Sequence, residues 1–349
     1  MGATMKDIAK RTGLGLATIS SYLNGGNVRE KNRIKIEEAI RELHFEVNEV
    51  ARGLKTNRTK TIGIVIPELN NIFFAEIITE AEDILRSHGY ATMICDCRSD
   101  TEREKEAVDF LYHRRVDGLI VMPTGTSDPG FQKFIRAGKP IVMIDRKMKD
   151  VCCDCILVDN EGAAEDAVNR LVRAGHRKIG MIAGPEDVYT ARERQRGYEK
   201  ALRENNAVYE EGLMARGNYT IAGGAKAMRQ LWENNPDMTA VFISNYEMTV
   251  GAMMEINDLG IRVPDELSVI GFDNVDFAKA SVPRLSIVTQ PTAQIAQEAA
   301  DTLIEKLQER DSAVNHKEDG QDRKKTTVTV TLKTGFVEGR SVKASEKVS

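Results

Sequence analysis

The chain has 349 residues, 41% hydrophobic and 29% charged, which is ordinary for a globular protein of two or three domains. No stretch approaches the roughly 18 apolar residues of a membrane span and the amino terminus lacks the apolar run of a signal peptide, so the expected setting is the cytoplasm, with no membrane partner. The net charge of −4 is unevenly spread: residues 1–60 hold twelve Lys/Arg against seven Asp/Glu, a net of +5, which suits a phosphate-bearing partner for that segment and leaves −9 on the rest.

The first residues read as short helices around a small core. Thr4 followed by Asp7 makes a capping-box start, Ile8 and Ala9 supply an inward face, and Gly13 permits a turn that strains other residues. Beyond the turn Leu14, Ile19 and Leu23 face the same core, and Asn24-Gly-Gly26 stops the second helix. A third amphipathic helix is expected from about Glu30 to His44, with Ile36, Ile40 and Leu43 at helical spacing. Helix, glycine turn and helix is the geometry that lays the second helix in the major groove. Any small helical bundle shares that pattern; the local charge favours double-stranded DNA as the partner.

Residues 48–60 form a hinge between a head at 1–47 and a body at 61–340. Val50, Ala51 and Leu54 would share one face of a helix, but Gly53 makes that helix marginal alone, so the segment should order only when something packs on that face.

The body alternates short apolar runs (62–67, 91–95, 117–123, 140–145, then 178–184, 240–245, 267–273) with helical patterns, among them 161–174, 190–205, 220–233 and 247–258. The expected fold is a small all-α helix-turn-helix head followed by an α/β body of two doubly wound parallel-sheet lobes. Lobe 1 should take about 61–160 and 290–320, lobe 2 about 161–289 and 321–340. Residues 315–325 read as a solvated loop and the tail from 341 as a frayed end. Ligands of such sheets bind outside the carboxyl ends of the strands, so the residues just after each run are site candidates.

Enzymatic signatures are missing. Gly13-Leu-Gly15 lacks the preceding strand and third glycine of a dinucleotide fingerprint, and no P-loop, zinc-protease helix or nucleophile elbow occurs. Cys95, Cys97, Cys152, Cys153 and Cys155 are odd in number, which argues against a disulfide framework, and neither cluster has zinc-finger spacing. Reduced thiols are expected, with Cys95 a small buried hydrophobe, and neither a metal nor a cofactor.

Taken with Ile72-Phe-Phe-Ala-Glu76, Arg115-Val-Asp-Gly118, Val158-Asp-Asn160, Gly175-His-Arg-Lys-Ile179, Thr190-Ala-Arg-Glu-Arg194, Val263-Pro-Asp-Glu266 and Gly271-Phe-Asp-Asn274, the head and hinge make the chain resemble the LacI/GalR (lactose-repressor type) family of bacterial transcription regulators over nearly its whole length. The resemblance implies a periplasmic-binding-protein-like body, a homodimer or higher oligomer, operator DNA as partner, and a small effector held between the lobes that modulates operator affinity. It implies that Leu16, Ala17 and Ser21 face base edges, that Thr18 and Asn24 touch phosphates, and that Leu54 wedges into the minor groove. Leu16 reads alternatively as a partly exposed packing residue, and Leu54 as a dimer-packing leucine, a role that is compatible with the wedge. Many relatives carry serine at the position of Gly15, arginine or histidine at Ser21 and a capping serine at Arg29, so the operator sequence does not carry over.

For the cleft the resemblance implies Phe73 as a wall, with Asp145, Arg194, Asn245 and Asp273 as polar contacts. All but Arg194 are also expected from the rule that ligands bind at strand ends. Arginine, aspartate and an aromatic ring suit a polyol, so the expected effector is a sugar or sugar derivative. Asp273 reads alternatively as a turn residue, and Asp145 with Arg146 as a structural pair. Many relatives have an acidic residue where this chain has Tyr246. The competing readings are a solute-binding receptor, which the basic head contradicts, and a small-molecule enzyme of doubly wound fold, which lacks a catalytic set.

Overall fold

The computed structural model describes residues 3–23, 26–45, 58–273, 275–315 and 327–344, of which 311 and 313–315 are described by backbone alone. The chain divides into two compact units, Met1–Lys60 and Thr61–Ser349.

The first unit holds α1 (Met5–Thr12), α2 (Leu16–Leu23) and α3 (Glu30–Glu42). Thr4 caps α1, its backbone N–H and hydroxyl both donating to Asp7 Oδ2, at 2.8 and 2.7 Å. Gly13 ends α1 at φ 68°, in the left-handed region that glycine adopts without strain, and its N–H donates to the Ala9 carbonyl. Ile8, Ile19, Ile36 and Ala39 are buried at the centre, surrounded by Leu14, Tyr22, Leu23, Ile40 and Leu43. Helix α3 stops at Glu42, short of the expected His44, because His44 turns to φ 46° and Phe45 N–H closes back on the Ile40 carbonyl.

The second unit begins with β1 (Thr61–Ile66), α4 (Ile72–Ser87), β2 (Ala91–Asp96), α5 (Thr101–His113), β3 (Gly118–Val121), α6 (Phe131–Arg136), β4 (Ile141–Ile144) and β5 (Asp154–Val158). The chain then crosses to a second lobe: α7 (Asn160–Arg173), β6 (Ile179–Ala183), α8 (Tyr189–Glu204), β7 (Met214–Arg216), α9 (Ile221–Asn234), β8 (Ala240–Ile243), α10 (Tyr246–Asp258), β9 (Ser268–Phe272), α11 (Val275–Ala280) and β10 (Ser286–Thr289). It returns through α12 (Thr292–Asn315) to β11 (Thr329–Leu332) and ends on β12 (Gly335–Val337).

Among the described residues the sheets run β11-β5-β4-β3-β1-β2 and β12-β10-β9-β8-β6-β7. Every pairing is parallel except β10 with β12. Each sheet is covered on both faces: α4 and α12 pack on one side of the first, α5 and α6 on the other. Helices α7 and α8 cover one face of the second, α9 to α11 the opposite one. Two buried faces are why the central strands read as continuous apolar runs.

Several parts depart from the sequence reading: strands β5, β7, β10, β11 and β12 lie outside the seven expected apolar runs. Strand β5 opens on Asp154, which interrupts the apolar pattern; its carboxylate accepts from Val328 N–H at 2.8 Å. Residues 321–340 were expected in lobe 2, but Thr329–Leu332 lies beside β5 in the first sheet, and only β12 belongs to the second. The tail is not frayed at 341: the Ser341 hydroxyl is buried, donating to the Val269 carbonyl and accepting from Ser286 N–H, while the Lys343 carbonyl is 3.0 Å from His176 Nε2. Residues 316–325 of the expected loop lie outside the described residues, and no described helix is long and apolar enough to cross a membrane.

Candidate functional site

In the head, the burial of Ile19 turns the opposite side of α2 outward. Leu16 is 47% exposed and Ala17 is exposed with it, while Thr18 and Ser21 are half-buried at the edges of that face. Ala17 and Ser21 are four apart, so they stand one above the other along the helix. Behind this face the Tyr22 hydroxyl donates to Glu37 at 3.0 Å and Arg11 pairs with Glu42 at 2.7 Å, tying α1 and α2 to α3. Arg29 precedes α3 without a side-chain cap. Asn24 and Leu54 lie outside the described residues, as does the hinge face of Val50 and Ala51.

In the body, the carboxyl ends of the strands bring several of the expected cleft residues together. Asp145 follows β4 and is buried at φ 66°, with Arg146 Nε 3.1 Å from its Oδ2 and Arg146 Nη1 donating to the Pro123 carbonyl. The structural pair therefore exists, whatever else Asp145 does. Asp273 follows β9 at φ 65°, accepting from Gln290 Nε2 at 2.8 Å. Both aspartates hold a backbone conformation that non-glycine residues rarely adopt, a strain that clusters at functional sites. Desolvation is the main cause that pushes the Asp273 carboxyl up to about 6; Asp145 and Glu76 add to it and Arg194 opposes it.

Arg194 is fixed from three sides. Its Nε donates to Asn160 Oδ1 at 2.8 Å, its Nη1 to the Ser244 carbonyl at 2.6 Å, and its guanidinium lies 3.8 Å from the centre of the Phe272 ring. Asn245 is buried too, but its amide is occupied: Oδ1 caps α10 by accepting from Met248 N–H, and Nδ2 donates to Glu247. Phe73 sits half-buried in the first turn of α4, its N–H donating to the capping Asn71 side chain at 2.9 Å.

Sequence reasoning missed four members. Gln290 orients Asp273, and its own Oε1 is buried without a hydrogen-bond partner among the described residues. Tyr219 bonds the Thr190 hydroxyl at 3.2 Å, and its charged neighbours include Arg194, Arg146 and Asp145. Its ring packs over Gly184 after β6, where an added Cβ would stand 2.3 Å from it, a neighbour that only the fold reveals. Glu247 and Asn71, which meet between the lobes, had no signal beyond their places at helix starts.

A cavity of about 660 Å³ lies beside this cluster rather than over it, between the loops after β3 and β4 and the start of α8. Its walls include Thr124, Lys147, Lys149, Tyr189 and Arg192. Glu104 holds one wall by accepting from the N–H groups of Thr124 and Gly125. At the cluster the two aspartates of positive φ, the fixed guanidinium and the unpaired Gln290 Oε1 coincide, while the cavity wall carries another unpaired buried oxygen, Thr124 Oγ1. Among the described residues no group of three or more His, Cys, Asp or Glu side chains is arranged to hold a metal ion.

Residues 4–48 match the family model for bacterial regulatory proteins, lacI family, and residues 168–342 that for a periplasmic binding protein-like domain. The HTH-type transcriptional repressor CytR of Escherichia coli (strain K12) is 34% identical over 307 residues, covering 88% of this chain and 90% of that protein. The chain belongs to the lacI family. A solved transcriptional regulator, CelR, in complex with cellobiose is 29% identical with a TM-score of 0.71, covering 97% of this chain and 99% of that one. The lac repressor dimer bound to operator and the anti-inducer ONPF shares the fold, with a TM-score of 0.83 at 24% identity over 99% of this chain and 100% of that one. The protein is thus a DNA-binding, ligand-modulated transcriptional repressor; its relatives are regulators, not enzymes.

Proposed function

We propose that this lacI-family regulator is a cytoplasmic homodimer that binds a neutral sugar or sugar derivative between its lobes and changes its operator affinity in response. The observation that carries the ligand class is the buried, unpaired Oε1 of Gln290 beside the Asp273 carboxyl. A buried acceptor without a donor is costly, and a ligand hydroxyl supplies the donor. Arg194 is placed to donate to the neighbouring hydroxyl, and Tyr219 and Phe73 are the rings available to cover an apolar sugar face. The cellobiose complex of the CelR relative points the same way.

On the DNA side, the exposed face of α2 presents Leu16, Ala17 and Ser21 to base edges, with Thr18 and Asn24 on phosphates and Leu54 of the hinge in the minor groove. Effector binding shifts the lobes and with them the separation of two hinges, so that both heads of the dimer reach, or fail to reach, their half-sites.

A thermal-shift screen with sugars and nucleosides tests the ligand class, since a ligand at about 100 times its dissociation constant adds roughly 2.7 kcal/mol. A sugar should raise the melting temperature. A response to nucleosides alone would replace the sugar reading and leave the regulator standing.

A further inference from the structure

All five cysteines are free, and Cys95 is half-buried on the edge strand β2 rather than fully buried as expected. The chemistry that the sugar reading leaves unassigned lies elsewhere, in the cavity of about 660 Å³ beside the cleft. Five Lys and Arg line it against three Asp and Glu, on a body whose net charge is −9.

That positive surplus is only partly neutralised from within. Arg146 is taken up by Asp145 and the Pro123 carbonyl, and Arg196 by Glu161 and Glu193. Lys147 and Lys149 are exposed, and neither has a carboxylate within ion-pair distance among the described residues. Arg192 is anchored through Nη1, which donates to the Glu186 and Asp187 carbonyls at 3.2 and 2.7 Å. Its Nε and Nη2 have no hydrogen-bond partner among the described residues. The two acids not held by an arginine, Asp150 and Asp187, are exposed to solvent.

Two further features of the walls favour an anion. Thr124 Oγ1 is buried without a partner among the described residues, so its hydroxyl still has a proton to donate. Glu104 fixes the loop that carries it, through the N–H groups of Thr124 and Gly125, without lining the cavity itself. On the other wall α8 starts after Val188, whose side chain cannot accept a hydrogen bond, so no side chain caps the positive end of this 16-residue helix.

We propose that this cavity is a second small-molecule site, which binds the phosphate monoester of a small metabolite beside the sugar. Such a group carries about two negative charges at neutral pH and three strong acceptor oxygens. Two unpaired ammonium groups, the free edge of a guanidinium and a buried hydroxyl complement it better than they would a carboxylate, which has one charge and two oxygens. The volume lies within the range of small-molecule pockets.

The site is placed to act on the effector. Lys147 and Lys149 belong to the first lobe and Arg192 to the second, so an anion held by both sides favours the lobe arrangement that brings them together. Lys147 stands two residues after Asp145, and Arg192 two before Arg194. The ester should therefore tighten sugar binding, a consequence that rests on the proposed sugar cleft, whereas the anion site itself does not.

The test uses the full chain with glycerol 3-phosphate as probe, glycerol as control, and potassium chloride holding the ionic strength constant. We expect millimolar glycerol 3-phosphate to raise the melting temperature and glycerol to leave it unchanged. Affinity by calorimetry should fall at least about tenfold in the double variant Lys147→Gln/Lys149→Gln, which loses two charge-assisted contacts. Both lysines are exposed and neither is a cleft contact, so that variant should keep its own thermal shift with sugar. Thr124→Val should weaken the ester as well. No rise with glycerol 3-phosphate, or full affinity in the double variant, would overturn the site. Displacement of bound sugar by the ester would overturn it too, by placing the phosphate in the sugar cleft. Equal sugar affinity with and without bound ester would overturn the coupling alone. If no sugar shifts the protein, the cleft reading fails and the double variant still judges the anion site.

Discussion

The side-chain amide of Asn71, at the start of α4 in the first lobe, donates to the Glu247 carboxylate in the first turn of α10 in the second lobe, at 2.5 Å. Glu247 also accepts from Asn245, and Asn71 and Asn245 are themselves the caps of their helices. One carboxylate thus joins two helix starts across the cleft. Burial is the main cause that pushes Glu247 up to about 7, and the charges of Asp273 and Glu68 add to it.

A raised acid makes the folded chain hold a proton that the unfolded chain has lost. The stability from Glu247 is whole below about pH 4.5 and is lost as the pH rises through about 7; that from Asp273, raised from 3.8 to about 6, goes the same way. The Glu247 contribution is at most about 3.4 kcal/mol, from a rise of about 2.5 pKa units at 1.36 kcal/mol each. Glu247→Gln keeps one of the two acceptors, so it should lower stability modestly and flatten the decline. Denaturation midpoints measured near pH 5 and near pH 7 check this, and a wild-type slope in the variant would assign the effect to other groups.

Asp273 and Arg194 call for different substitutions. Asn tolerates the φ of 65° that Asp273 adopts, so Asp273→Asn isolates the charge, whereas Asp273→Ala adds backbone strain. Arg194→Ala removes the donors to Asn160 and Ser244 and uncovers the Phe272 ring, at a cost of about 1–3 kcal/mol for each group left unpaired. We expect Asp273→Asn to weaken effector binding by about tenfold or more, which is 1.4 kcal/mol, with the fold intact. Arg194→Ala should lose the effector and melt lower. Both should keep the operator affinity of the unliganded protein, measured by anisotropy; normal effector binding by calorimetry in either variant would make that residue structural.

The head core of Ile8, Ile19, Ile36 and Ala39 draws only on residues of the first unit. Removal of residues 1–60 should therefore abolish operator binding and leave a body that still melts cooperatively and binds effector. In the intact protein, affinity should fall by several decades between about 50 and 200 mM salt if six or more phosphates are contacted. A flat salt response would point to contacts other than the basic head.

Much of this architecture was legible because periodicity and turn chemistry are local. Thr4, Asp7 and Gly13 mark the head, and apolar runs mark the strands buried on both faces. What stayed hidden depends on partners distant in sequence. Strand β11 is assigned to the first sheet by its pairing with Cys155 to Val158, which no local pattern records. Ser341 reads as a loose tail until Val269 and Ser286 are beside it. In the cleft, Asp145 and Asp273 follow from strand ends, whereas Tyr219 and Gln290 are selected by what faces them after folding.

Gly184 and Tyr219 form the pair in which this dependence is most directly testable. An added Cβ at 184 would stand 2.3 Å from one ring carbon of Tyr219 and 2.9 Å from its hydroxyl, so Gly184→Ala must displace the ring. Tyr219 has little room to adjust, being held at φ 57° with its hydroxyl 3.2 Å from that of Thr190. Overpacking of this kind costs about 1–3 kcal/mol. Gly184→Ala should therefore lower the melting temperature and weaken effector binding together. Tyr219→Ala should weaken effector binding through loss of the ring, and in that background Gly184→Ala should cost almost nothing, because the methyl group then has space. The coupling energy from the four proteins is expected to be at least about 1 kcal/mol. Additive losses would show that Gly184 is required for its own backbone and not for the tyrosine.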